Sequence, residues 1–221
     1  MNLLGFDTAT AATSACVLRA DGEAFERDPP PQALAAPPAH ARELMPAVAE
    51  VVERAGVGFG DLDAIAVGVG PGGFTGLRIG IATARALARA HGLELRPVSS
   101  LAALAAGIEA PLRLPAIDAK RGEVFAALHA NADERWPPFV ASPEDVARRV
   151  ADAGLAPVAA GDGSVRFRRV LEAAGIRVEP ESSRAHVVRA LNVCRLAREV
   201  APKAPEAVLP EYLRLPDAKP R

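Results

Sequence analysis

The 221-residue chain is 50% hydrophobic and 24% charged, and its 26 basic residues against 27 acidic ones leave a net charge of −1. This is the composition of an ordinary globular protein, long enough for one large domain or two small ones. The charge balance argues against a chain that grips nucleic acid alone, because such binding depends on neutralising phosphates; it leaves room for an RNA-acting complex in which a partner supplies the charge.

Cys16 and Cys194 are far apart and fit no metal or redox spacing. Two lone thiols suit a reducing compartment, the N-terminus has no basic segment followed by a long apolar core, and no run of apolar residues is long enough to span a bilayer. The expectation is a cytoplasmic protein with no membrane contact.

In chain order, "NLLGFD" reads as a strand ending on Asp7, "TSACVLRADG" as a second strand closed by the Asp21-Gly22 turn, and "EAFER" as a third. The Pro-rich stretch 28–39 reads as an exposed loop. Leu44, Met45, Val48, Val51, Val52 and Ala55 then recur at helical spacing, with Gly56 as the stop and Pro46 awkward unless it lies in the first turn or at a kink. "LDAIAVGVG" is a buried strand running into "VGVGPGGFTGLRIG", after which an Ala-rich helix is closed by Gly92 and "ELRPV" is a short strand. In the second half, Ser99 or Ser100 could cap a helix, two strands flank the turn 119–122, and Ser142-Pro143-Glu144-Asp145 opens another helix. "APVAAGDGS" is a strand and turn, "VRFRRVLEAAG" a helix, and "SRAHVVRALNVCRLAREV" one long amphipathic helix before an extended, Pro-rich tail. Two halves, each of strands followed by helices and further strands, predict an α/β architecture with a break near Ser99.

The glycine loop admits several readings. Gly68, Gly70 and Gly73 satisfy G-x-G-x-x-G, and Glu94 stands about where a ribose-binding acid would, yet the pattern follows an inner strand, and Pro71 removes an N–H that would face pyrophosphate. A P-loop fails because Gly76 precedes Leu77 and Arg78 rather than Lys and Ser/Thr. No Ser/His/Asp order or zinc helix supports a peptidase.

"GPGGFTGLRIG" (70–80), with "FDTAT" near the N-terminus, resembles the TsaB family, also called YeaZ: accessory subunits of the bacterial machinery that makes threonylcarbamoyladenosine in tRNA. The family loop usually carries serine where this chain has Gly73. "HARELMP" (40–46), "IDAKRGEVF" (117–125) and "PEYLR" (210–214) match in the same order, whereas 28–39 and the last few residues match nothing in the family. The resemblance implies a two-lobed actin/Hsp70/sugar-kinase-like fold, with residues 1–99 as the N-terminal lobe and 100–221 as the C-terminal lobe, the stretch from 184 packing back on the first. It implies a non-catalytic partner that activates the TsaD subunit in a complex with the ATPase TsaE, reaching tRNA only through that complex and pairing with itself when alone. The rival is an independent ATP-dependent phosphotransferase of the same superfold, favoured by Asp7 and its threonines and disfavoured because "AAGDGS" (159–164) is the one weak candidate for a second phosphate loop.

Three sets of site residues follow from the resemblance. Asp7, Thr8 and Thr10, with Gly70, Gly72 and Gly73, stand where superfamily kinases hold phosphate and Mg²⁺; they read as a vestigial phosphate loop or as plain turn chemistry. The catalytic relative carries H-x-x-x-H where this chain has His40 and Leu44, and one imidazole cannot define a metal site, so neither a metal nor a cofactor is expected on the chain alone, and ATP or ADP is allowed only at the partner boundary. The partner face is expected on two helices: His40, Leu44, Val48 and Val51 on the first; Phe74, Gly76, Leu77, Arg78, Gly80, Ile81, Ala84 and Leu87 on the second. On the second helix Leu77, Ile81, Ala84 and Ala88 form one apolar stripe, Gly76, Gly80, Ala84 and Leu87 a narrow second one, and Arg78, Arg85 and Arg89 a solvated edge. On this reading Gly80→Arg blocks association with little effect on stability. Asp118, with Lys120, Arg121 and Glu123, mirrors Asp7 in the second half as either a cleft acid or a charged turn.

Overall fold

Strands without a polar face need cover on both sides. In the computed structural model, which describes residues 1–131 and 133–214, that cover comes from three layers of helices around two sheets. The first sheet contains β1 (Leu3–Asp7), β2 (Ser14–Leu18), β3 (Ala24–Arg27), β4 (Ala64–Gly68) and β5 (Glu94–Val98) in the order β3-β2-β1-β4-β5. β1, β2 and β3 are antiparallel neighbours, and β4 and β5 run parallel to β1.

Alternation along these strands sends successive residues to opposite faces. Leu4, Phe6, Ile65 and Val67 pack under α1 (His40–Arg54) and α2 (Phe74–His91). Leu3, Cys16, Ala64 and Ala66 face inward. Pro46 lies within α1, not in its first turn, and on its exposed side, where the missing N–H costs one helical bond without opening the core. Gly92 ends α2 in the left-handed conformation, with φ 67°.

The second sheet repeats the first. β6 (Leu112–Lys120), β7 (Glu123–Ala130), β8 (Asp133–Ala141), β9 (Val158–Ala160) and β10 (Arg177–Val178) lie in the order β10-β9-β6-β7-β8. β6, β7 and β8 are antiparallel neighbours, and β9 and β10 run parallel to β6. Reversed, this is the order and direction of the first sheet, so the chain is two lobes of one design, each a mixed sheet flanked by helices. β8 and β10 are elements the sequence reading lacks. β8 carries Pro137 and Pro138 at a sheet edge, where a residue with no N–H is tolerated.

α4 (Pro143–Asp152), capped by the Ser142 hydroxyl, and α6 (Arg168–Ala173) cover the outer face of the second sheet, while α5 (Asp162–Arg166) follows β9. Between the sheets lie α3 (Ser100–Ala105), capped by Ser99, and α7 (Ala190–Ala197), in a core that includes Ile117, Phe125 and Ala127 from the second lobe.

The long helix expected over 183–200 is not formed. A 3-10 turn spans Arg184–His186, Val187 is extended, and only α7 is helical. The His186 ring accepts from the Gly161 N–H (3.0 Å) and meets the carbonyls of Glu179 and Pro180, which holds this stretch out of a helix. The Glu26 carboxylate of β3 accepts from the Leu191 N–H (3.0 Å) and pairs with Arg189, fixing where α7 starts. The Pro-rich stretch 28–39 is not wholly irregular: Pro31–Ala35 forms a 3-10 turn.

Candidate functional site

Asp7 ends β1 at full burial. Its carboxylate accepts from the Ala9 N–H (2.7 Å) and from the Ser100 hydroxyl (2.6 Å). Ser100 in turn accepts from the Gly70 N–H (3.2 Å), and its own N–H donates to the Gly70 carbonyl (2.8 Å). Burial pushes the Asp7 carboxyl up to about 6, against the opposing pull of the Ser100 and Ala9 hydrogen bonds. Both oxygens are therefore committed, Oδ1 to the turn that follows β1 and Oδ2, through Ser100, to the glycine loop.

Thr8 is committed too, since its hydroxyl donates to the Gly76 carbonyl (2.8 Å). Of the six residues expected at a phosphate loop, Thr10, Gly72 and Gly73 line the cleft between the lobes, whereas Asp7, Thr8 and Gly70 lie in the scaffold beneath it. The cleft has a volume of about 980 Å³ and takes Asp118, Lys120, Arg121 and Asp162 from the second lobe.

Asp118 is more than a surface turn. Burial would raise its pKa, but Lys120 Nζ (2.9 Å), the Lys120 N–H (2.9 Å) and Arg166 (2.8 Å) outweigh it and hold the carboxyl below its ordinary range. Its own N–H donates to Asp162 (3.0 Å), whose carboxyl is raised by burial. The floor of the second lobe is thus an internally balanced set of charges. His40 is buried at the start of α1, its Nδ1 2.8 Å from the Thr13 hydroxyl, and burial lowers its pKa. Among the described residues no group of three His, Cys, Asp or Glu is arranged to hold a metal ion.

The expected partner face needs correction. Leu44, Val48 and Val51 of α1 and Leu77, Ile81 and Ala84 of α2 are buried inside the lobe, as is His40. The narrow stripe is also internal: a β-carbon at Gly76 would lie 2.1 Å from the Thr8 carbonyl oxygen, and one at Gly80 would lie 2.4 Å from Thr8 Oγ1. These glycines admit the connection between β1 and β2, not another protein. Leu87 is half-buried, while Phe74 and Arg78 are exposed.

The open surface lies one step round each helix. On α1 it is Ala41, Met45 and Ala49; on α2 it is Thr75, Ile79, Ala82 and Ala86, all exposed except the half-buried Ile79, and each set falls at helical spacing. The arginine edge is exposed at Arg78 and Arg89 and half-buried at Arg85, and all three are bonded to the chain's own tail. Arg85 donates to the carbonyls of Glu206 and Val208, Arg89 pairs with Glu206 (2.6 Å), and Arg78 Nε donates to the Tyr212 hydroxyl (3.1 Å). The C-terminal tail runs antiparallel along α2 on these three arginines.

Over residues 34–214 the chain matches the family described as TsaD: tRNA N6-adenosine threonylcarbamoyltransferase. The solved structure of YeaZ from Pseudomonas aeruginosa superposes with a TM-score of 0.80 at 30% identity, covering 96% of this chain and 99% of that one. The chain belongs to the TsaB/YeaZ family. TsaB from Escherichia coli (strain K12) is 37% identical over 134 residues, 58% of this chain and 54% of that protein. An uncharacterized protein of Mycobacterium tuberculosis (strain ATCC 25618 / H37Rv) is 35% identical over 224 residues, 99% of this chain and 94% of that protein. In this TsaB/YeaZ chain the residues that sequence reasoning missed are Ser100, which locks Asp7 from 93 positions away, and the tail residues Glu206 and Val208, which no local signal ties to α2.

Proposed function

We propose that this chain is a partner subunit that binds and activates a TsaD-like transferase, in a complex with a TsaE-like ATPase that makes threonylcarbamoyladenosine in tRNA beside the anticodon. Family membership supports the pathway. The observation that carries the role is the open face of α1 and α2: Met45, 46% exposed, stands among small side chains that let another helix pair approach closely. Alone, the chain pairs with itself through this face, and tRNA is reached through the complex. The protein works in the cytoplasm. Among the described residues no helix is long and apolar enough to cross a membrane.

The chain supplies no catalytic group of its own on this reading, because Asp7 and Thr8 are spent on internal hydrogen bonds and the charges of Asp118 are neutralised in place. Any ATP or ADP belongs at the partner boundary. Reconstitution tests the proposal: leaving this chain out of a mixture of the TsaD-like and TsaE-like proteins with tRNA cuts the modified tRNA at least about tenfold, a loss of about 1.4 kcal/mol in effective activation. Undiminished modification without it defeats the reading.

The second reading, an independent ATP-dependent phosphotransferase, draws on the cleft lined by Thr10, Gly73 and Lys120 from both lobes. Calorimetry with ATP and Mg²⁺ separates the two, since tight binding with turnover by the isolated chain favours the enzyme.

A further inference from the structure

Between Lys203 and Arg214 the tail crosses from one lobe to the other. It starts at the edge of the first sheet, where Lys203 and Leu95 exchange backbone hydrogen bonds (2.7 and 3.3 Å). Glu206 and Val208 then seat on Arg85 and Arg89, with the Val208 side chain buried in the core under α2. The Glu211 N–H donates to the Val69 carbonyl (2.8 Å), beside the glycine loop. Tyr212 stacks on Phe74 with ring centres 5.4 Å apart, and the Arg78 guanidinium lies 3.8 Å from the centre of the Phe74 ring while bonding the Tyr212 hydroxyl.

Two residues further on, the attachment changes lobes. Arg214 donates to the Ala119 carbonyl (3.2 Å) and pairs with Glu123, both at the hairpin of β6 and β7. Leu213, between the two clasps, packs against the core shared by both sheets. The chain also passes between the sheets through α3 and through 179–189, and both passages feed that same core, with Leu101 and Leu104 from the first and Val188 from the second. The tail instead borders the cleft mouth, which Tyr212 and Arg214 line.

We propose that residues 203–214 are a strap that fixes the opening between the two lobes, with Tyr212 as its clasp on the first lobe and Arg214 as its clasp on the second. Closing the cleft mouth this way holds the glycine loop and the β6–β7 hairpin at a set separation. A strap of a few polar contacts on a built apolar seat is the kind of element that holds or releases a hinge. The inference concerns the chain by itself and does not depend on which partner it meets.

The test uses the full chain with spin labels on cysteines placed at the exposed positions Glu53 and Asp152, one on each lobe; the native Cys16 and Cys194 are buried and stay unlabelled. Pulsed electron–electron distance measurements give the separation and its spread. Arg214→Ala, and separately a chain ending after Val208, are expected to broaden the distribution by about twofold or to shift its centre. Arg214→Lys is expected to restore most of the wild-type width. Leu209→Ala, at a site 65% exposed, is expected to change nothing. Unchanged distributions in both Arg214→Ala and the shortened chain overturn the proposal. So does equal broadening by Leu209→Ala. If the shortened chain does not fold, Arg214→Ala decides alone. Loss of partner binding with intact strap behaviour counts against the proposed function and leaves the strap standing.

Discussion

Gly80 of α2 faces Thr8 at the end of β1 so closely that a β-carbon on Gly80 would lie 2.4 Å from Thr8 Oγ1. The Thr8 hydroxyl cannot turn away freely, because it donates to the Gly76 carbonyl one helical turn earlier. Gly80→Ala is therefore expected to destabilise the chain by about 1–3 kcal/mol, the range for overpacking a close-packed site, and Gly80→Arg by more. A loss of association in Gly80→Arg would then report a damaged lobe. Ala82→Arg is the proper probe: position 82 is exposed, so its melting temperature stays at the wild-type value while affinity for the TsaD-like protein falls at least about tenfold, or 1.4 kcal/mol. Thermal melts and sedimentation of both variants separate fold from face. Wild-type association by Ala82→Arg would place the partner elsewhere.

Asp7 makes stability depend on pH in a direction unusual for a carboxylate. Its pKa is raised to about 6 when folded, from an ordinary 3.8, so the folded state binds the proton more tightly than the unfolded one. Its contribution is present below the unfolded value and is lost as pH rises through about 6. Asp7→Asn keeps an oxygen for the Ala9 N–H and cannot ionise. Relative to the wild type it is expected to gain about 3 kcal/mol between pH 4 and pH 7.5, a shift of roughly two units at 1.36 kcal/mol each. Urea titrations across that range measure the difference, and a constant gap between the two proteins would show that Asp7 does not titrate there.

Much of the fold was legible because local signals agree with it. The Gly92 stop, the Ser142 cap and the two apolar inner strands are each fixed by neighbours within a few residues. What was not legible depends on contacts distant in sequence. The helix periodicity of 183–200 is real, yet His186 is engaged by Gly161 and the Glu26 carboxylate sets the start of α7, so only its last part is helical. The small-residue stripe of α2 has the spacing of a helix–helix contact, and sequence alone cannot tell a facing helix from a facing loop. Arg78, Arg85 and Arg89 have the spacing of a solvated edge, but a tail more than a hundred residues away lies on them. Of the phosphate-loop set, Thr10, Gly72 and Gly73 reach the cleft, whereas Asp7 is held beneath it by Ser100, a partner with no local signal.

The two thiols are expected to be chemically silent in the native protein. Cys16 and Cys194 are fully buried, and burial, with Cys16 beside it, pushes the Cys194 thiol well above its ordinary value. The thiolate is the reactive form, so neither residue should be modified by a thiol reagent until the chain opens. Ellman's reagent is expected to titrate no thiol in buffer and both thiols in denaturant. Rapid native reaction of either would mean that α7 leaves the first sheet readily.

His40 opposes Asp7. Burial lowers its pKa below the ordinary 6.5, with the nearby Glu43 offsetting part of the effect, so the folded state prefers the neutral ring that meets the Thr13 hydroxyl. A base with a depressed folded pKa contributes stability that is complete above its unfolded pKa and is lost as pH falls below it. From pH 7 to 5.5 the wild type therefore loses stability through His40 at up to about 1.4 kcal/mol per pH unit while gaining it through Asp7. His40→Asn removes the loss and leaves the gain. Its stability relative to wild type is expected to rise as pH falls through that window, whatever its cost at pH 7, and the Asp7→Asn, His40→Asn double variant is expected to lose both contributions and keep those of the other shifted groups, His129 and Asp162 among them. Equilibrium unfolding at four or five pH values decides it. A His40→Asn curve parallel to wild type would mean that the imidazole keeps its ordinary pKa despite its burial against Gly76.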